Sequence, residues 1–185
     1  MAWVLLTGLG VLLVAVVWLY NRLIRAKVRV REAWAQVAVQ QQRRHDLLPA
    51  LVAALSGFAD HEQAVLTAVT DARSRALTAV EPMARGAAEE HLSALTAQLL
   101  ALREANPQLS ADATFQRLAR ELRDIEDRLA FARDFANHRV ASYRTMTDTL
   151  PGALLARPLR FPRKELFARE NERAAIAPVV ELGGR

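Results

Sequence analysis

Two short polar clusters are the residues of this sequence best suited to chemistry. A histidine precedes a carboxylate in each, as His45-Asp46 and as His61-Glu62, and such neighbours can act as a general base or contribute metal ligands. The clusters are sixteen residues apart, which is about 24 Å along a straight helix at about 1.5 Å per residue. They would therefore form one site only if the helix between them folded back on itself.

The sequence motifs that usually accompany catalysis do not occur in this chain. There is no HExxH, Glu-x-x-His, Walker loop, GxGxxG or GxSxG, and there is no cysteine. Glu89, Glu90 and His91 begin a predicted helix, where acids favour the helix dipole, and His138 stands alone. We therefore expect no enzyme activity, no catalytic residue, no metal or other cofactor and no small-molecule substrate.

The elements that would position these residues begin with an uncharged stretch, residues 2–20. As a helix it would span about 28 Å, close to the hydrocarbon core of a bilayer at about 30 Å. A cleaved signal peptide would need a preceding basic residue and a small-x-small cleavage site, and the sequence has neither. We predict a transmembrane anchor over residues 1–21, with a buried core helix as the alternative. Its predicted interface residues are Trp3, Trp18, Tyr20, Arg22, Arg25 and Lys27.

The basic residues of the chain are concentrated directly after this stretch. Residues 1–56 contain seven Lys or Arg and two Asp or Glu, which the anionic lipid of a membrane surface explains more simply than nucleic acid does. Basic residues tend to remain on the cytoplasmic side of a span. The prediction is a single-pass protein of the bacterial inner membrane, with its N-terminus outside, its body in the cytoplasm and no nucleic-acid partner.

Apolar residues then recur at steps of three and four, which is the spacing of helices packed as in a coiled coil. The stretches are residues 30–76, 83–105 and 112–150, and Ser110 or Asp112 would cap the last one. The predicted fold is all-α, with the transmembrane helix continuing into an antiparallel bundle of long helices over residues 22–150. Residues 151–185 are predicted to be an irregular basic segment and a disordered tail.

The number of helices depends on how Pro49 and Gly57 are interpreted. Proline removes one backbone donor, so Pro49 either bends the helix or faces solvent at some cost. Because the heptad spacing continues through Gly57 without a gap, the favoured interpretation is one bent helix over residues 21–80, about 90 Å long. The alternative is a reversal near Gly57, which gives four antiparallel helices. Residues 151–167 would then return to the bilayer as an amphipathic, basic segment.

Charged residues also occupy two core positions of this heptad pattern, at Arg44 and Glu62. The favoured interpretation is that these long side chains reach outwards to solvent. The alternative is that they fix the helix register or contact another protein, because an unpaired buried charge is costly. The candidate interaction face contains Arg44, His45, Asp46, His61 and Glu62.

Several blocks of the sequence resemble the LemA family of bacterial membrane proteins. They are YNRLIRAKVRVREAWAQVAVQQQRRHDLLPALV, GFADHEQAVLTAVTDARSRA and LLALREANPQLSADATFQRLARELRDIEDRLAFARDFAN, followed by VASYRTMTDTLPGALL and RFPRKELF. The resemblance implies a helical bundle on an N-terminal membrane anchor, with a poorly defined biochemical role. The chain departs from the family pattern at Ala38, Gln41, Ala50, Ala136 and Arg144.

The sequence combines a predicted anchor with long amphipathic helices, and it contains no group of residues with the spacing of a catalytic site. This combination favours a non-enzymatic role. We expect a protein-interaction or scaffold module at the bacterial envelope, which binds the lipid bilayer and either protein partners or a second copy of itself. The alternative is a membrane-surface organising protein that uses the basic residues of segments 22–31 and 157–164 on anionic lipid. A hydrolase or metal enzyme ranks last.

Overall fold

The computed structural model describes residues 1–56, 63–105, 109, 111–159 and 161, without the side chains of residues 103–105. Within this part of the chain the structure is helical and contains no strand, which confirms the all-α prediction. The helices are α1 (Ala2–Ser56), α2 (Gln63–Thr78), α3 (Pro82–Ala105), α4 (Ala113–Asp148) and the short α5 (Gly152–Ala156).

Helices α1 and α2 pack against each other, so they are not parts of one continuous helix. The Nε atom of Arg73 in α2 donates a hydrogen bond to the carbonyl oxygen of His45 in α1 at 2.7 Å, although the two residues are 28 positions apart. In a straight helix that separation would be about 42 Å. The prediction of one bent helix over residues 21–80 is therefore wrong, and the described residues form four long helices. Gly57 itself lies outside the described residues.

The heptad pattern was misleading because both sides of the reversal bury apolar residues in the same core. The chain divides into two compact units, and the larger one is Val28–Ala136. Its main core combines residues from α1, α2, α3 and α4. The fully buried leucines among them are Leu48, Leu51, Leu55, Leu92, Leu99, Leu109 and Leu122. A second cluster joins α1 to α4 through Ala33, Val37, Leu129, Ala132 and Ala136.

Local residues account for the starts of α3 and α4. Pro82 is the first residue of α3, where a missing N–H costs little because helix starts leave this donor unpaired. The Oδ1 atom of Asp112 accepts a hydrogen bond from the backbone N–H of Phe115 at 2.6 Å, which caps α4. Of the two predicted caps Asp112 is therefore used, and Ser110 lies outside the described residues.

The smaller unit combines Met1–Lys27 with Asn137–Arg185. The first eighteen residues of the chain are exposed, and burial begins at Leu23 and Ala26. The apolar part of α1 has a mean hydropathy of 2.5 over 18 residues, none of them buried. By length and composition this helix is compatible with a single-pass membrane anchor.

The chain after α4 packs beside the residues that follow this apolar stretch. Gly152 approaches the backbone so closely that an added Cβ would collide with the carbonyl oxygen of Met146, and it would lie 3.9 Å from Leu23. The rings of Tyr20 and Phe161 meet edge to face, with their centroids 6.3 Å apart. Only glycine allows this approach at position 152, and it places α5 next to residues 20–23.

Candidate functional site

A buried polar cluster lies within the larger unit, around Arg44 of α1. Arg44 is 0% exposed, and its neighbour His45 and Glu89 of α3 are each 1% exposed. The prediction that the Arg44 side chain reaches outwards is therefore wrong. The adjacent Leu48 and Leu51 belong to the main core, so their helix face carries the guanidinium inwards, where acids from two other helices neutralise it.

The guanidinium of Arg44 joins three helices. Its Nη2 atom donates to the carboxylate of Glu89 and, at 3.2 Å, to the backbone carbonyl of the same residue. Its Nη1 atom donates to Oε1 of Glu126 in α4 at 2.9 Å and to the hydroxyl of Ser93 in α3. A planar guanidinium with donors in a fixed fork suits such divided bonding, so Arg44 fixes the register of α1 against α3 and α4.

His45 gives Glu89 another hydrogen-bond partner, from the next position along α1. Its Nε2 atom lies 2.9 Å from Oε1 of Glu89. Burial by itself raises the pKa of the Glu89 carboxyl, but the hydrogen bond from His45 and the charge of Arg44 outweigh it and hold that pKa below its ordinary value. Glu89 is therefore a buried carboxylate that stays ionised at neutral pH.

Pro49 has a specific role in this cluster. Proline has no N–H, so the carbonyl of residue 45, four positions earlier, has no helical donor at its usual place. That carbonyl instead accepts the hydrogen bond from Arg73 of α2. Pro49 itself is exposed, which confirms the interpretation of a solvent-side proline. The proline thus creates a free acceptor inside α1 at the point where α2 docks.

A second cation, Arg133 of α4, belongs to the electrostatic environment of the cluster. Desolvation lowers the pKa of Arg133 most, and repulsion by Arg44 lowers it further, while Glu126 and Glu89 act in the opposite direction. Glu89 and Glu126 therefore act electrostatically on both arginines. Charges in this arrangement are mutually dependent, because removing one acid leaves both cations less well compensated.

The arrangement is suited to fixing helix positions. His45 and Glu89 form a pair of the kind used in acid–base catalysis, but both side chains are almost fully buried, so a substrate would not reach them in this closed bundle. Among the described residues no three His, Asp or Glu side chains are grouped so as to hold a metal ion. Replacing a whole buried ion pair by apolar residues is often neutral, whereas removing one partner is strongly destabilising.

Of the five residues of the predicted interaction face, two are buried, one is exposed and two lie outside the described residues. Arg44 and His45 are interior and cannot contact a partner while the bundle is closed. Asp46 is exposed and accepts a hydrogen bond from Nε2 of Gln42 at 2.8 Å. His61 and Glu62 lie outside the described residues.

The predicted membrane-interface residues lie in or next to the exposed part of α1. Trp3, Trp18, Tyr20, Arg22 and Arg25 are exposed, and Lys27 is half-buried. The guanidinium of Arg22 lies over the ring of Trp18, 5.3 Å from its centroid. This cation–π contact holds a basic group beside an interfacial aromatic.

Sequence reasoning missed the partners of Arg44. Glu89 was interpreted only as an acid that favours a helix dipole, and Ser93, Glu126 and Arg73 were not identified. The signal that could have found them is Arg44 itself, because a charge at a core position requires an acid from a facing helix. Glu126 directly follows the core residue Ile125, which makes it one candidate.

The second notable feature is a surface groove of about 570 Å³ between α1 and α4 in the larger unit. Phe131 is 73% exposed at this groove, and its ring stacks on that of Phe135 at a centroid distance of 6.5 Å. Phe135 in turn packs against the second apolar cluster. The lining residues are Ala35, Gln36, Val39, Gln40, Asp127, Arg128, Phe131 and Ala132.

Comparison with known proteins identifies a family for this chain. A comparison with curated proteins finds no significant match. The sequence model of the LemA family matches residues 33–182, which include the whole of α2, α3, α4 and α5 and residues 33–56 of α1, the part that carries the buried polar cluster. The chain therefore belongs to the LemA family.

Proposed function

We propose that this protein is a non-enzymatic, membrane-anchored helical bundle that docks a helix of another protein in the groove between α1 and α4. The observation that carries the proposal is Phe131, a large aromatic residue that is 73% exposed and held in place by Phe135. Exposed, rigid aromatic side chains are frequent anchors of protein interfaces. A residue of this kind at a groove provides a fixed contact for a partner.

The groove has the composition of a helix-binding site. Its floor contains Ala35 and Ala132, whose small side chains allow a close approach, and Val39 is 51% exposed beside them. An amphipathic helix places its apolar face in such a groove and its polar face in water. The polar lining residues Asp127 and Arg128 offer charges of both signs to that polar face.

The exposed apolar part of α1 supports the membrane anchor. None of its most apolar 18 residues is buried within the chain, so a bilayer would cover side chains that the protein itself leaves uncovered. The basic residues after the span favour a cytoplasmic body. We accordingly place the groove on the cytoplasmic side of the inner membrane.

The non-enzymatic part of the proposal rests on the burial of the polar cluster and on the pairing of its acids. The acids around Arg44 are occupied by hydrogen bonds between helices, and the exposed cluster residue Asp46 bonds Gln42 of its own helix. An active site usually holds polar groups that await a substrate in an accessible cleft. Here the cluster serves to hold the groove-forming helices in register.

The test is site-specific photo-crosslinking of the full-length protein in living cells. A photoreactive amino acid at position 131 should give a discrete adduct with one other protein, and the same probe at the exposed residue Ser74 of α2 should not. Val39→Glu in the groove should abolish the adduct. Peptide mapping should place the crosslink on a predicted helix of the partner.

Two outcomes would contradict the proposal. Equal labelling from positions 131 and 74 would mean that Phe131 contacts its neighbours only at random. An adduct made solely of a second copy of this chain would replace docking of another protein by self-association.

A further inference from the structure

We propose that α5 and its flanking residues are a second membrane contact, in which Leu150, Leu154 and Leu159 enter the headgroup region of an anionic bilayer beside the span of α1. This inference rests on the membrane anchor of the proposed function and goes beyond docking of a protein partner. It assigns a role to an element that the protein-binding groove does not use.

The burial pattern of α5 is the reverse of the pattern in a water-soluble protein. Its smallest residues, Gly152, Ala153 and Ala156, are buried, whereas Leu154 is 68% exposed. The flanking Leu150 and Leu159 are also largely exposed. Isolated exposed leucines are common, but three within ten residues on one short element form a patch that needs an explanation.

The position of α5 within the smaller unit favours lipid as the partner that covers these leucines. Gly152 lies against Leu23, and Phe161 contacts the ring of Tyr20. These contacts join α5 to the point where α1 changes from fully exposed apolar residues to an amphipathic helix with a buried face. In the proposed anchor this change marks the membrane surface, so the leucine patch is continuous with a surface that lipid already covers.

Charge is the second reason for choosing lipid over protein. Arg157 is exposed between Leu154 and Leu159, and Arg22 and Arg25 are exposed on the adjoining part of α1. Basic residues beside inserted apolar residues bind anionic headgroups. The combination of exposed leucines, neighbouring arginines and an adjacent span is that of an interfacial segment.

Spin labels on the full-length protein in lipid vesicles provide the test. The chain has no cysteine, so one label can be attached to Leu154→Cys without further changes. Reference labels are Leu12→Cys, within the proposed span, and Ser74→Cys, exposed in α2. The measured quantity is accessibility to oxygen, which concentrates in lipid, relative to a water-soluble nickel complex.

In vesicles that contain anionic lipid, the oxygen-to-nickel accessibility ratio at position 154 should lie between the values at positions 74 and 12, shifted clearly towards lipid relative to position 74. Replacing Arg157 by Glu should move the label towards water, because the charge would then repel the headgroups. An aqueous signal at position 154 with a lipid signal at position 12 would overturn this inference alone. Aqueous signals at both positions would overturn the membrane anchor as well.

Discussion

The interior around Arg44 and the surfaces at Phe131 and Leu154 reverse the usual distribution of residue types. An arginine, a histidine and a glutamate lie almost fully buried, while a phenylalanine and leucines are largely exposed. The buried charges remain inside because facing helices supply hydrogen-bond partners. The exposed apolar residues have no such cover in the part of the chain that the structure describes. The interior therefore specifies how the helices fit together, and the exposed apolar residues indicate what the protein contacts.

The largest effect is expected when the buried cation is removed. Arg44→Met should lower the free energy of unfolding by about 3–5 kcal/mol, because Glu89 is left as a buried charge without its main partner. Urea unfolding of the full-length protein in detergent, followed by circular dichroism, measures the loss.

The matched control removes both charges at once. Arg44→Met with Glu89→Met should recover much of the lost stability, since no buried charge remains on that pair. Equal instability of the single and double variants would mean that packing of the arginine stem, rather than its charge, is what the bundle requires.

Acidification should cause a smaller loss, because protonation removes the charge of Glu89 but retains its carboxyl group. The pKa of Glu89 is lower in the folded protein than its ordinary value of 4.5. The stabilisation is therefore fully present above that value and is lost as the pH falls through the lower folded pKa. Unfolding curves from neutral pH to below 4.5 should show the decline, and Glu89→Gln should flatten it. An unchanged slope in that variant would assign the acid sensitivity to other carboxylates.

The contact between α1 and α2 should respond to a pair of substitutions. Arg73→Met should cost about 1–3 kcal/mol, because the carbonyl of His45 loses its donor. Pro49→Ala restores an N–H to the helix, so the loss caused by Arg73→Met should be less than half as large in that background. Urea unfolding of the four proteins completes the cycle. Additive losses would mean that the proline and the arginine act independently.

The smallest effects on folding are expected at the exposed apolar residues. Phe131→Ser and Leu154→Ser should each change the free energy of unfolding by no more than about 0.5 kcal/mol, as is usual for surface positions. With the photoreactive probe moved to position 39, Phe131→Ser should weaken the crosslink at the groove. With the spin label moved to Leu159→Cys, Leu154→Ser should weaken the membrane contact of α5. A large loss of stability in either variant would identify that residue as part of the fold instead of a contact surface.

Local features of the fold could be predicted from the sequence, and long-range pairings could not. The helical spacing, the cap at Asp112 and the start of α3 follow from residues close together in the chain. Arg44 was recognisable as a charge in a core position, but its bonds reach 45 and 82 residues along the sequence. The reversal after α1 was missed because apolar spacing continues on both sides of it.

The role of Pro49 illustrates the same limit. The sequence shows that Pro49 lacks an N–H donor. The group that replaces this donor is the Nε–H of Arg73, which lies in another helix. The sequence shows the leucines in and beside α5 as apolar residues with arginines among them. Only the burial of the intervening glycine and alanines determined which side of that segment faces outwards.

The wide sequence separation of Arg44 from its partners has a consequence for the order of events during synthesis. Glu89 and Glu126 follow it by 45 and 82 residues, so at about 5–20 residues per second the second acid is made roughly 4–16 s after the arginine. During that interval the guanidinium of Arg44 lacks at least one of the acids that pair with it in the folded bundle. The bundle therefore closes late, once α4 has left the ribosome, while the apolar N-terminal stretch is available to the membrane from the beginning.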